Sequence, residues 1–287
     1  MVRVDDPDQV PRPNPAFVNR VDELALLDQL VPRRPGVDSQ LAVVTGLVGV
    51  GKSAMVYTWV ARQREHFPDG RLYVDFAALR TPDGTAVGDG LADVLRSLGV
   101  AESTIPTSLA ARTNLYRSTI STRRCVVMLD DVTEPAHVRP FLPNSGGSVV
   151  VATSNGRLVE LELDGAMPVE LEPLADDDAV ELLRRHCGDG RVDADPAASI
   201  ALARLCSGLP IALRVAVARL LRRPHLPVAA LVAELTDDDR RLGGLSVGGR
   251  HDSIADLQRA PRRRLPCRLR RPLQRSPTSP VAGTAGT

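Results

Sequence analysis

Gly46-Leu47-Val48-Gly49-Val50-Gly51-Lys52-Ser53 is the stretch that decides how this chain folds. It follows the apolar run Leu41-Ala42-Val43-Val44-Thr45 and opens into Ala54-Met55-Val56-Tyr57-Thr58-Trp59-Val60-Ala61. That order reads as buried strand, glycine loop and helix, the context in which G-x-x-x-x-G-K-[ST] is a phosphate-cradling P-loop. Gly46, Gly49 and Gly51 permit positive φ, so backbone N–H groups can turn inward as an anion nest. A helix starting near Lys52 directs its positive end at the same anion. Lys52 is positioned to reach the β- and γ-phosphates, and the Ser53 hydroxyl to take a place on Mg²⁺. The candidate phosphate-binding set is Gly46, Gly49, Val50, Gly51, Lys52, Ser53 and Ala54. Lys52 is also the only lysine in an otherwise arginine-rich chain. A compact ammonium fits between phosphate oxygens where a guanidinium fork is too large and differently directed.

The 287 residues allow one large domain or two smaller ones. A formal net charge of +1 argues against a protein-wide field for nucleic acid. Aromatic residues make up 3% of the chain, too few for a base-stacking surface. Cys125, Cys187, Cys206 and Cys267 show no C-x-x-C spacing, which points to reduced thiols of a cytoplasmic protein. Asp5, Asp6 and Asp8 without an apolar run exclude a signal peptide at the start, and no stretch has the length and apolarity of a membrane span.

Taken in order, residues 1–15 read as an extended Pro- and Asp-rich leader. Phe17-Val18-Asn19-Arg20-Val21-Asp22-Glu23-Leu24 runs into an amphipathic helix with Asn19 or Asp22 near its start. Beyond the P-loop helix, Arg71 to Phe76 alternates as a strand between the turns Pro68-Asp69-Gly70 and Pro82-Asp83-Gly84, and helices follow over 86–98 and 108–121. Cys125-Val126-Val127-Met128-Leu129-Asp130-Asp131 is a continuous apolar run closed by two aspartates, as expected of a strand buried on both faces of a parallel sheet. Ligands gather at the carboxyl ends of such strands. Asp130 is there a candidate Mg²⁺ ligand, and Asp131 a candidate to orient or deprotonate an attacking water. Paired aspartates also form turns; the upstream P-loop is what favours the Walker B reading. Gly147 to Ala152 is a further strand, ending in Thr153-Ser154-Asn155-Gly156-Arg157. Thr153 and Arg157 could sense a γ-phosphate there, or the segment could be a plain polar turn.

A short strand over Met167 to Leu171 precedes helices over 176–187, 196–205, 208–221 and 227–242, so the pattern is all-helical from about Pro173. His186 has no partner at metal-ligand spacing and reads, like Cys187, as a packing residue. After Asp256 no acidic residue remains, while Arg259, Arg262, Arg263, Arg264, Arg268, Arg270, Arg271 and Arg275 crowd together. Such a segment is expected to be disordered. It could be a nucleic-acid-binding tail or text translated out of frame from GC-rich DNA, the reading preferred here.

With these pieces in order the chain resembles the NB-ARC branch of the STAND signal-transduction P-loop ATPases, in the form found in actinobacterial transcriptional regulators. The resemblance rests on Phe17-Val18-Asn19-Arg20 with Glu23-Leu24, the P-loop, Leu72-Tyr73-Val74-Asp75, Val126 to Asp131, Thr153-Ser154 and Gly208-Leu209-Pro210-Ile211-Ala212-Leu213. It covers about residues 16–245. It implies an α/β fold: a three-layer P-loop NTPase domain with a parallel sheet over residues 16–172, then a small all-helical domain over 173–249, then a tail over 250–287. It further implies ADP clamped between the two, with Val18 and Arg20 by the adenine and ribose and Pro210 facing the nucleotide from the helical side. ADP would hold a resting state, with slow or absent hydrolysis, and ATP would permit self-association and action on a regulatory partner. Asn19 stands where the family usually has glycine, and Asn155 where it has a sensor arginine, with Arg157 displaced by two positions. A second expectation is therefore an ADP-binding interaction module, or a fragment of a larger regulator, that hydrolyses nothing. A third is an AAA-type DNA-handling ATPase, which shares the F-x-x-R-x-x-E-L entry but not the GLPIAL segment. No DNA-binding segment is evident before residue 16, so direct DNA binding is not expected without an additional domain.

Overall fold

Five apolar segments, each too short and too continuous for an amphipathic helix, pair into one parallel sheet. In the computed structural model, which describes residues 6–32, 41–144 and 147–236, these are β1 (Leu41–Gly46), β2 (Gly70–Asp75), β5 (Cys125–Asp130), β6 (Val149–Ser154) and β7 (Met167–Leu171). Their spatial order is β2-β5-β6-β1-β7, all parallel. The remaining strands, β3 (Arg80–Thr81) and β4 (Gly84–Thr85), form a small antiparallel hairpin where the sequence reading had only a turn. The Pro82-Asp83-Gly84 turn is its tip, and pairs this short give no periodicity to detect.

Period-two alternation sends each central strand into two cores. Leu41, Val43, Val127, Leu129, Val150 and Ala152 pack on one face with Leu91 and Leu95 of α3 (Val87–Ser97) and Tyr116 and Ile120 of α4 (Leu109–Ile120). Ala42, Val44, Val126, Met128, Val149 and Val151 pack on the other with Leu24 and Leu27 of α1 (Val21–Asp28) and Trp59 and Val60 of α2 (Lys52–Arg62). This is the expected three-layer arrangement. Short helices α5 (Pro135–Val138) and α6 (Val159–Leu163) follow β5 and β6. The buried Cys125 and Cys206 and the partly buried Cys187 are all free thiols.

A third apolar cluster is made by helices, joined by Val18 and Leu174 from the segments beside them: α7 (Asp176–Cys187), α8 (Asp189–Asp193), α9 (Pro196–Leu205), α10 (Pro210–Arg222) and α11 (Val228–Thr236). α8 was not foreseen, since five residues carry too little pattern. The N-termini of α9 and α10 lie where Asp195-Pro196 and Leu209-Pro210 place them, with proline at the first helical position. The expected continuation of the last helix toward Leu242, and the tail, lie outside the described residues. Among the described residues no helix is long and apolar enough to cross a membrane.

Pro7 to Gln9 of the leader lie alongside β2. Arg71 N donates to Pro7 O (2.7 Å), Gln9 N to Arg71 O (2.8 Å), and Asp8 pairs with the Arg71 guanidinium at 2.8 Å.

The junction of sheet and helices turns on Gly208. Its φ is +62°, its carbonyl accepts from Leu174 N at 2.9 Å, and an added Cβ would stand 2.2 Å from Leu174 O. Gly208→Ala should lower stability by more than ~1 kcal/mol, read as an earlier denaturant midpoint at unchanged slope. An unchanged midpoint would show that the two segments separate freely.

Candidate nucleotide-binding cleft

β1 buries both faces and cannot carry its chain past β7 without a residue lacking a side chain. At Gly46 (φ +145°) an added Cβ would sit 2.5 Å from Leu171 O. Gly49 (φ +79°) and Gly51 (φ +103°) complete the loop in conformations that disfavour side chains. α2 then starts at Lys52 with no side-chain cap, leaving its first-turn N–H groups free to face an anion.

Lys52 is 8% exposed, and its three protons have three acceptors: Gly46 O (3.0 Å), Leu47 O (3.0 Å) and Asn155 Oδ1 (2.8 Å). Burial pulls its pKa down, opposed by the charges of Asp131 and Asp130. Parallel register aligns Asp75 with Asp130 and Thr45 with Ser154, so the strand ends form one rim. On that rim Asp130 Oδ1 accepts from Ser53 Oγ (2.7 Å) and Thr153 Oγ1 (2.5 Å), while its Oδ2 accepts from Tyr73 OH (3.1 Å) and Tyr57 OH (3.3 Å). Burial raises the pKa of both phenols, so each stays a donor. The adjacent Ser53 and Asp130 oxygens are the hard donors that Mg²⁺ takes alongside nucleotide phosphates.

Asp131 leaves the strand with φ +60°, a left-handed step that aspartate tolerates better than most residues. Its N–H donates to Thr153 Oγ1 (3.0 Å). Asn155 Nδ2 donates to its Oδ1 (3.0 Å), and Arg80 Nη2, from the β3–β4 hairpin, donates to its Oδ2 (2.6 Å) and carbonyl (2.9 Å). Asn155 thus bridges Lys52 and Asp131. Sequence reasoning missed Arg80, Tyr57 and Tyr73; only Tyr57 carried a signal, four residues beyond Ser53 and so on the same helical face.

A cavity of about 460 Å³ opens over this rim. Val18, Arg20, Gly49, Val50, Gly51, Lys52, Ser53, Ala54, Asp130, Asp131, Thr153 and Pro210 all line it. Arg20 is in the wall but tied down. In a left-handed conformation (φ 68°) ahead of α1, it donates to Glu172 O (2.6 Å) and Val50 O (3.4 Å) and pairs with Glu23. α10 closes on the P-loop: Ile211 N donates to Gly49 O (3.2 Å), and a Cβ on Gly49 would fall 2.2 Å from Ile211 Cγ2.

One expectation needs correction. Arg157 does not line this cavity; its guanidinium turns onto Glu162 with hydrogen bonds of 3.1 and 2.6 Å, leaving Asn155 nearest the P-loop lysine. His186 is among the residues that line the cavity, with Arg214, while its Nε2 is buried without a hydrogen-bond partner.

No known protein-family pattern matches the chain. Among curated proteins it is 36% identical over 244 residues to the regulatory protein AfsR of Streptomyces griseus, covering 84% of this chain and 24% of that protein. The chain therefore spans about a quarter of that relative's length. Among solved structures it superposes with a STAND protein carrying a tetratricopeptide repeat sensor from Pyrococcus horikoshii (TM-score 0.51, 20% identity, 72% of this chain and 30% of that one). It matches equally well the Orc1 protein of Aeropyrum pernix, solved in complex with DNA (TM-score 0.51, 17% identity, 72% of this chain and 61% of that one). The structural matches establish the P-loop ATPase fold and do not separate those two classes, while over the matched segment the sequence is related to the regulatory protein AfsR.

Proposed function

We propose that this chain is the nucleotide switch of a transcriptional regulator: an NB-ARC-type unit that retains ADP in its resting state and exchanges it for ATP. The observation that carries the reading is the convergence on one cavity of Lys52, Asp130, Asp131 and, from the helical side, Pro210 and Ile211. A nucleotide held there would touch both parts of the chain, so its identity can bias how they sit together. Shifting such an equilibrium from 1:99 to 99:1 takes ~5.5 kcal/mol of differential affinity.

Lys52 and the P-loop N–H groups would hold the phosphates, with Thr153 at the rim and Val18, Arg20 and Pro210 around the nucleoside. Mg²⁺, held by Ser53 and Asp130, would neutralise phosphate charge. Asp131 is the group for orienting or deprotonating water. Both of its oxygens are already hydrogen-bonded, by Asn155 and Arg80, which favours slow turnover and keeps the non-hydrolysing ADP module as the nearest alternative. In the ATP-bound form the unit would self-associate and act on a regulatory partner. The regulatory role of AfsR supports this output, which direct DNA contact by these residues is not needed to explain.

Three measurements test the reading. Purified protein should release near-stoichiometric ADP on denaturation, whereas Lys52→Ala should weaken nucleotide binding by about 100-fold or more, ~2.8 kcal/mol, and purify empty. Retained ADP in that variant would sink the P-loop assignment. Asp131→Asn should leave binding within about twofold and cut any turnover by about 100-fold; unaltered turnover would remove Asp131 from the chemistry. Pro210→Ala should speed ADP release several-fold in a stopped-flow chase, and an unchanged rate would contradict a clamp from the helical side.

A further inference from the structure

The β3–β4 hairpin takes no part in the main sheet, yet it places one side chain on the rim of strand ends. Its root is fixed by Leu79, which packs against the core below. A Cβ on Gly90 of α3 would fall 2.6 Å from Leu79 Cδ1, so the helix leaves room for that leucine. Ala86 N donates to Leu79 O at 3.0 Å and Thr81 Oγ1 to Gly84 O at 2.8 Å, which closes the hairpin. From this footing Arg80 reaches Asp131. A single guanidinium nitrogen, Nη2, donates to Asp131 Oδ2 (2.6 Å) and to the Asp131 carbonyl (2.9 Å).

The grip falls on a residue in a left-handed backbone conformation whose Oδ1 already accepts from Asn155 Nδ2 at 3.0 Å. Each carboxylate oxygen of Asp131 therefore has a donor. A cation that stabilises the charged form of a carboxylate weakens it as a base. Without Arg80, Oδ2 would be free while Asn155 still oriented the group. Arg80 does not itself line the cavity, so it can act on a ligand only through Asp131. The two side chains are 43% and 31% exposed, and pairs so close to solvent exchange readily.

We infer that Arg80 is a positioning residue that restrains Asp131, making the β3–β4 hairpin a brake on ATP hydrolysis in this cleft. The inference rests on the nucleotide reading above and adds a regulating element outside the sequence motifs. In the reaction the water oxygen bonds to the γ-phosphorus as the bond from that phosphorus to the β–γ bridging oxygen breaks. ADP leaves with that oxygen and the electron pair, phosphate is the other product, and the proton lost by water passes to Asp131. The restraint acts on that proton transfer and leaves the P-loop contacts to phosphate as they are.

Single-turnover cleavage of ATP with Mg²⁺, with the full chain in excess, tests this without ADP release limiting the rate. Arg80→Ala should cleave about five- to tenfold faster than wild type, with ATP and ADP dissociation constants within about twofold. The gain should vanish when Arg80→Ala is combined with Asp131→Asn. Arg80→Lys, which keeps the charge without the planar fork, should gain less than Arg80→Ala. A merely structural arginine would lower the melting temperature or weaken binding and give no faster cleavage. A rate in Arg80→Ala equal to or below that of wild type would overturn the inference while nucleotide binding kept the P-loop site intact. So would absence of cleavage in both proteins, a gain that survives Asp131→Asn, or an equal gain in Arg80→Lys. A wild type that binds neither ATP nor ADP would overturn the nucleotide reading and this inference together.

Discussion

One carboxylate holds the working end of this molecule together. Asp130 accepts from Ser53 on α2, Thr153 on β6, Tyr73 on β2 and Tyr57 on α2, so four hydroxyls from three elements besides its own meet on one group. A half-buried carboxylate needs such donors, because an unpaired one would be too costly to remove from water. The same contacts orient the P-loop helix against the sheet rim. Ligand chemistry and local stability therefore share a residue, and disturbing Asp130 would alter the rim before it altered any ligand.

Around that anchor the polar residues form a chain instead of a set of pairs. Lys52 contacts Asn155, Asn155 contacts Asp131, and Asp131 contacts Arg80 on the hairpin. Movement at the phosphate end can reach the hairpin through four side chains, and the low local dielectric strengthens each link. An asparagine in the middle makes this coupling geometrically directed: one end of its amide accepts from a cation and the other donates to an anion.

Much of the fold was legible because buried parallel strands and proline-started helices write long signals. The runs ending at Thr45, Asp130 and Leu171 and the dipeptides Asp195-Pro196 and Leu209-Pro210 sit where the sequence put them. The P-loop and the aspartate pair were legible for a different reason, since their chemistry depends on fixed local spacing. What escaped reading depends on contacts distant in sequence. Arg80 meets Asp131 across fifty-one residues. Arg157 shows the converse. Its nearness in sequence to Thr153 suggested a ligand role, yet Glu162, five residues on, offered a nearer partner.

The extended segment before α1 has a consequence of its own. β2 is an outermost strand of the sheet, and such strands present unpaired backbone groups that invite pairing with another chain. Pro7, Asp8 and Gln9 occupy that position, and the Asp8–Arg71 ion pair pins them there. The chain shields its own margin against intermolecular β-pairing.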